Sequence, residues 1–179
     1  RRIDIELARR SIPLWRSDSS CPANARTYTN QMHNEQYGNW GAYHGTGCGR
    51  TFGDLYRFRS AYAPAMTCNF FFSGREKEGT PEDWAWLRQA MAEYRRVRPY
   101  LTEDMYPLTA QTPVPDAMWA VQYHRPGRGD GVVQVCKREH CPYVTVAFPL
   151  RGLDETARYR FVDADDCFGG SDGSDDAFT

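Results

Sequence analysis

The chain has 179 residues, 41% hydrophobic and 14% aromatic, a composition that buries a core and does not stay disordered. Its 22 Lys and Arg balance 23 Asp and Glu, so it lacks the basic footprint of a nucleic-acid binder. No apolar run approaches the roughly 18 residues of a membrane span, and RRIDIELARR at the start lacks the apolar centre of a signal peptide, so neither nucleic acid nor membrane is an expected partner.

The chain opens on Arg1 and enters a helix-like pattern (Ile3, Ile5, Leu7, Ala8) within a few residues, so further polypeptide is expected upstream. IPLWRSD, residues 12–18, then reads as an apolar strand that stops abruptly on Arg16, Ser17 and Asp18. Parallel α/β sheets keep their chemistry at the carboxyl ends of such strands, which makes Asp18 a candidate reagent. Asp followed by Ser-Ser is equally how turns and helix caps are written, and both readings stand at this point.

Residues 23–36 have helix character and lead to a second apolar run around Trp40 to His44, ended by a glycine-rich loop, Gly45-Thr46-Gly47. Strand, helix, strand is a βαβ unit. GTGCG has neither the GxGxxG spacing nor the Lys-Ser/Thr of a P-loop, so nucleotide binding is not expected. A helix over GDLYRFRSAYA is expected to run to Ala63, where Pro64 interrupts it, before the bulky run Cys68 to Phe72.

Thr80-Pro81-Glu82-Asp83 is a helix start with cap, first-turn proline and first-turn acids in place. Trp84, Leu87, Met91 and Tyr94 fall on one face, with Arg88, Glu93, Arg95 and Arg96 on others. Such a stripe reads as core in preference to a sugar-stacking platform of Trp84 and Trp86. Pro99 closes the helix, and Arg95, Arg96 and Arg98 suit its C-terminal dipole.

Residues 109–116, TAQTPVPD, form a Pro-rich connector, beyond which the pattern becomes strand-like. Met118 to Tyr123 and Val132 to Val135 make a hairpin around RPGRGDG; Tyr143 to Phe148 and Ala157 to Val162 read as two more strands joined through Gly152-Leu153-Asp154. The Arg-Gly-Asp at 128–130 is read as turn chemistry and not as an adhesion signal. FGGSDGSDDAFT is a polar tail. The six cysteines include no CxxC. Cys136, His140 and Cys141 match no common zinc spacing, and free thiols are favoured over a Cys136–Cys141 disulfide.

RRIDIELARRSIPLWRSD, YHGTG, FRSAYAPAM, DWAWLRQAMAEYRRVRPY with YPLT, and VQYHRPGRGDGVV with LRGLDETARYRF follow one another in order. Over residues 1 to about 166 the chain thereby resembles the C-terminal part of glycoside hydrolase family 36, the retaining α-galactosidases. The resemblance implies α/β plus all-β architecture: the C-terminal part of a (β/α)8 TIM barrel over residues 1–108, a small antiparallel β-sandwich-like domain over 109–166, and a Gly/Ser/Asp-rich tail over 167–179. It also implies roles. The family's general acid/base ends a W-x-S-D run, here Trp15-Arg16-Ser17-Asp18, which makes Asp18 catalytic and puts Trp15 and Arg16 at the sugar subsite. Trp15 as barrel core and Arg16 as partner of a local carboxylate remain open beside those roles.

Retention of configuration requires a second carboxyl about 5 Å from the first as nucleophile. In the family it belongs to a K-W-D motif; this sequence contains no Lys-Trp-Asp, nor the Cys followed by Ser-Gly-Gly that contacts the sugar. Asp54, Glu82, Asp104 and Asp116 end no barrel-like strand and do not replace it. The implied partner is an α-galactoside oligosaccharide, with no cofactor and no metal, in the cytoplasm, and with a homo-oligomer left open. The rival expectation is a non-catalytic carbohydrate-binding or structural module carrying a degenerate barrel remnant.

Overall fold

The computed structural model describes residues 6, 15–18, 24–38, 44–47, 53–67 and 79–164. They form mixed helices and sheets. A parallel sheet carries β1 (Trp15–Asp18), β2 (Gly45–Gly47) and β3 (Ala65–Thr67) in that spatial order, with α1 (Asn24–Gly38) between the first two strands and α2 (Leu55–Ser60) between the last two. Consecutive parallel neighbours joined through helices are what closed barrels and open α/β sheets have in common.

The expected strand ending near Asp18 and the helix after it are both present. β2 is a correction: the Gly45-Thr46-Gly47 expected as a loop is itself the strand, paired on both sides. Backbone pairing on two edges outweighs the poor strand propensity of glycine. Trp40 to Tyr43 and Cys68 to Phe72 lie outside the described residues.

Asp54 caps α2 by accepting the Arg57 N–H at 2.9 Å. The helix stops at Ser60, short of the expected Ala63. Beyond it the Tyr94 hydroxyl donates to the Ala63 carbonyl at 2.7 Å and accepts from the Met66 N–H at 3.1 Å, which fixes the backbone in the turn that enters β3.

α3 (Pro81–Val97) starts as the sequence requires. The Asp83 N–H donates to Thr80 Oγ1 at 3.2 Å and the Thr80 N–H donates to Asp83 Oδ2 at 2.9 Å, a reciprocal capping box. Its buried face is Leu87, Ala90, Glu93 and Tyr94, which corrects two assignments. Trp84 is only partly buried, against Gly79, while Trp86 packs on the core with its ring edge-to-face on Phe58, centroids 5.7 Å apart. Glu93, read as lying off the apolar face, is 3% exposed. Its carboxylate accepts two 2.8 Å bonds from Arg59 and one from the Tyr62 hydroxyl, so the buried charge is paired and hydrogen-bonded.

The second sheet is antiparallel: β4 (Asp104–Pro107), β5 (Met118–Arg125) and β6 (Asp130–Lys137) in that order. The β5–β6 turn uses Gly129 at φ 65°, with its N–H on the Arg125 carbonyl at 2.9 Å. Asp130 is partly exposed, and its carboxylate is engaged within the turn. Its carboxylate accepts from Arg125 Nε at 2.7 Å and again from Arg125 Nη2, and Arg125 lies 4.1 Å over the Tyr100 ring. This hydrogen bonding holds the Asp130 carboxyl below its ordinary range.

Trp119, Val121 and Tyr123 of β5 join Cys136 of β6 and Phe58, Tyr62, Met66, Ala90, Tyr94 and Leu101 in one apolar core. The opposite face of β5, Ala120, Gln122 and His124, is also buried. There Gln122 clasps the backbone of Arg151, donating to its carbonyl at 2.7 Å and accepting its N–H at 2.8 Å. Cys136 and Cys141 are buried free thiols, and burial pushes the Cys136 thiol up to about 11.

Tyr143 to Phe148 and Ala157 to Val162, read as strands, form none. The cause lies in the turn after β6. The Arg138 N–H donates to the Ala117 carbonyl at 3.4 Å and the His140 N–H to the Pro115 carbonyl at 3.1 Å. The chain is thus drawn toward the start of β5, away from the outer edge of β6 where a hairpin partner would lie. Strand propensity alone does not form a ladder without an edge to meet.

Candidate functional site

The carboxyl ends of the three parallel strands are aligned. Asp18 is in register with Gly47, and Gly47 with Thr67, so the three positions form one row across the sheet. Trp15 pairs with Gly45, so three steps of β1 oppose two of β2. That extra residue is a bulge-like irregularity immediately before Asp18, the kind of local kink that re-aims a residue beside an active site. Of the candidate residues, Trp15 thus starts β1, Arg16 follows within it, and Asp18 ends it.

The two faces of this sheet differ. Thr46 is in register with Met66, and Met66 belongs to the core packed by α2 and α3. Gly45 and Gly47 alternate with Thr46 and so belong to the face away from those helices, together with the position of Ala65. Glycine in a strand leaves room for a ligand or another backbone to approach. The expected acid therefore terminates a strand whose neighbour carries two glycines on the face opposite the helices.

Behind β2 the interior is polar. α1 buries Asn30, Gln31, Asn34 and Glu35, and β2 contributes Thr46, with His44 immediately before it. Gln31 is the hub: its Nε2 donates to the Tyr56 hydroxyl at 2.9 Å and to Ser60 Oγ at 3.1 Å, while its Oε1 accepts from Arg138 Nε at 3.1 Å. Arg138 is 1% exposed. Its Nη1 donates to the Thr112 and Val114 carbonyls at 2.6 and 2.7 Å, and its guanidinium stacks 4.6 Å over Tyr28.

Burial raises the Glu35 carboxyl above its ordinary range, against the opposing pull of the Trp119 indole N–H and the Arg138 charge. Burial likewise pushes the Tyr56 hydroxyl up to about 12. Among the described residues no three His, Cys, Asp or Glu side chains gather to hold a metal ion. Cys136 is in the core and His140, 67% exposed, pairs with Glu139 at 3.6 Å.

This polar interior was not singled out from the sequence. Its signal was available in NARTYTNQMHNEQYG, a helix with no apolar stripe, which folds only if its polar face is satisfied. The partners come from residues 56, 60, 112, 114 and 138, too far along the chain to be seen as a motif. Among the described residues no helix is long and apolar enough to cross a membrane. No family model, no curated protein and no solved structure matches the chain.

Proposed function

We propose that this chain is part of a retaining α-galactosidase and that Asp18 is its general acid/base. The reading is supported by a resemblance together with one observed position: the family resemblance points to the Asp of W-R-S-D, and that Asp ends a parallel strand in line with the carboxyl ends of its two neighbours. Parallel sheets assemble their chemistry at that edge.

In this role Asp18 protonates the glycosidic oxygen as the bond to the anomeric carbon breaks. As carboxylate it then takes a proton from the water that releases the covalent glycosyl intermediate. The nucleophile that forms the intermediate is a second carboxyl about 5 Å away, and under this reading it comes from outside this sequence, which has no Lys-Trp-Asp. Under this reading Trp15 and Arg16 border the sugar subsite, on the strand next to the buried glycines of β2.

The test is Asp18→Asn in the full enzyme. Hydrolysis of a natural α-galactoside falls by two or more orders of magnitude, in keeping with general acid–base contributions of about 10²–10⁴. An aryl galactoside with an activated leaving group still forms the intermediate, which accumulates, and azide restores turnover as the α-galactosyl azide. Equal impairment on both substrates with no response to azide makes Asp18 a turn residue. The non-catalytic carbohydrate-binding reading then gains ground, and isothermal titration with galactosides measures it.

A further inference from the structure

Arg138 follows β6 and is 1% exposed, and its guanidinium grips α1. Nε donates to Gln31 Oε1 at 3.1 Å while the guanidinium carbon lies 4.6 Å from the Tyr28 ring centroid, so two buried positions of that helix are held at once. The grip has a firm base. Nη1 is bonded to the Thr112 and Val114 carbonyls at 2.6 and 2.7 Å, and Gln111 of the same connector donates to the Met32 carbonyl of α1 at 3.0 Å.

What the grip controls follows from how α1 is packed. Apart from Tyr28 its buried residues are polar, namely Asn30, Gln31, Asn34 and Glu35. Apolar packing tolerates a small slide or rotation, whereas directional bonds hold a helix at one height and one rotation. Gln31 passes the tie on to Tyr56 and Ser60 of α2, and Asn34 adds a 3.3 Å bond to the Ser60 carbonyl. α1 in turn packs against β1 as well as α2. The β1–β2 ladder shifts register between Trp15 and Asp18, so strand pairing alone does not fix where β1 ends, and the helix packed on β1 shares that task.

We propose that Arg138 is a positioning residue for Asp18: it fixes α1 and, through α1, the end of β1, so that the acid meets the glycosidic oxygen. The inference rests on the reading of Asp18 as general acid/base. Arg138 acts here through placement and not through its charge. A general acid must come within hydrogen-bond reach of the atom it protonates, and a misplacement of about 1 Å that originates far from the chemistry costs about 10²-fold.

The test compares kcat/KM of the full enzyme on a natural α-galactoside, which needs the acid, and on an aryl galactoside with an activated leaving group, which does not. Circular dichroism verifies that each variant is folded at the assay temperature. Arg138→Met lowers kcat/KM on the natural substrate by about tenfold or more and leaves the aryl substrate within about twofold. Gln31→Leu removes the same bond from the α1 side, gives the same pattern, and stands in if Arg138→Met does not fold. In an Asp18→Asn background, Arg138→Met leaves the ratio of the two substrates unchanged, because no acid remains to be misplaced. Leu87→Ala, a buried truncation on α3, loses stability without moving the ratio. A proportional fall on both substrates in Arg138→Met makes Arg138 a stabilising residue only and overturns the proposal. So does a ratio that falls in the Asp18→Asn background or with Leu87→Ala, since the effect then belongs to something other than the placement of Asp18. An Asp18→Asn enzyme equally impaired on both substrates overturns the reading of Asp18 and the positioning role with it, an outcome distinct from failure of the Arg138 variants alone.

Discussion

The interior behind α1 and β2 and the interior beneath α2, α3 and β5 are assembled on opposite principles. The first is lined by Asn30, Gln31, Asn34, Glu35, Thr46 and Ser60 and is held by directional bonds that converge on Gln31 and Arg138. The second is Phe58, Tyr62, Met66, Ala90, Tyr94, Trp119 and Val121, held by close packing, with the Glu93 ion pair at its margin. Apolar packing tolerates approximate partners, whereas each buried polar atom demands a specific one. The polar interior lies against the sheet whose edge carries Asp18.

If the apolar side supplies most of the stability, its largest member sets the scale. Trp119 is 1% exposed. Trp119→Ala is expected to cost about 3–5 kcal/mol, the range for truncating a buried aromatic, read from urea unfolding. The Trp119 indole N–H also acts on the Glu35 carboxyl and lowers it, so Trp119→Phe should cost distinctly less than Trp119→Ala while letting that carboxyl rise further. A Trp119→Ala protein of near wild-type stability breaks the contrast between the two interiors.

Arg138→Met probes the polar side. It keeps the aliphatic bulk over Tyr28 but leaves Gln31 Oε1 and the Thr112 and Val114 carbonyls without their donor. About 3 kcal/mol is expected, and Arg138→Lys should not restore it, because one ammonium does not reproduce the planar fork. Since its side chain also ties down the Thr112 and Val114 carbonyls, Arg138→Met should speed amide hydrogen exchange in the 109–117 connector.

These two residues show what the sequence disclosed. Local patterns were readable: the Thr80 cap, the helix after it, the β5–β6 hairpin and its glycine turn, and the helix after Asp18. What failed depended on distant partners. Glu93 carries a charge and was placed off the apolar face, yet Arg59 and Tyr62, 34 and 31 residues earlier, make it a buried acceptor. The short strand β4, opening on Asp104 and ending on Pro107, has no strand pattern of its own and exists because β5 pairs with it. YVTVAF has the pattern but not the edge. At the candidate site, Asp18 at the end of a strand was legible, while the alignment with Gly47 and Thr67 required the fold.

The polar interior also predicts a pH response. Glu35 has its carboxyl raised above 4.5, first by burial, with Trp119 and Arg138 pulling the other way. In the unfolded chain it ionises near 4.5, whereas the folded chain holds the proton to higher pH. Its contribution to stability is therefore full below the unfolded value and is lost as pH rises through the folded one. Wild type should lose stability over that window, Glu35→Gln should lack that slope and be the more stable protein at neutral pH, and Arg138→Met should steepen the slope by removing the nearby cation. Thermal unfolding from pH 4 to 7.5 measures all three. An unchanged slope in Glu35→Gln assigns the pH dependence elsewhere.

The smallest effect belongs to the hairpin, where a matched pair of substitutions isolates backbone conformation from packing. Gly127 and Gly129 lie in the same turn, and a Cβ added at either meets nothing within 4 Å. They differ in φ: Gly129 has φ +65°, whereas Gly127 has no positive φ. Gly129→Ala must place an L side chain in the left-handed region, which is expected to cost about 1 kcal/mol. Gly127→Ala is expected to be neutral or to stabilise by about 0.4–1 kcal/mol, through the unfolded chain's lost freedom. Because the turn is closed locally by Arg125, Asp130 and Tyr100, neither change should alter the pH slope attributed to Glu35. If Gly129→Ala shifts that slope, the hairpin and the polar interior are coupled, and the separation between the two regions does not hold.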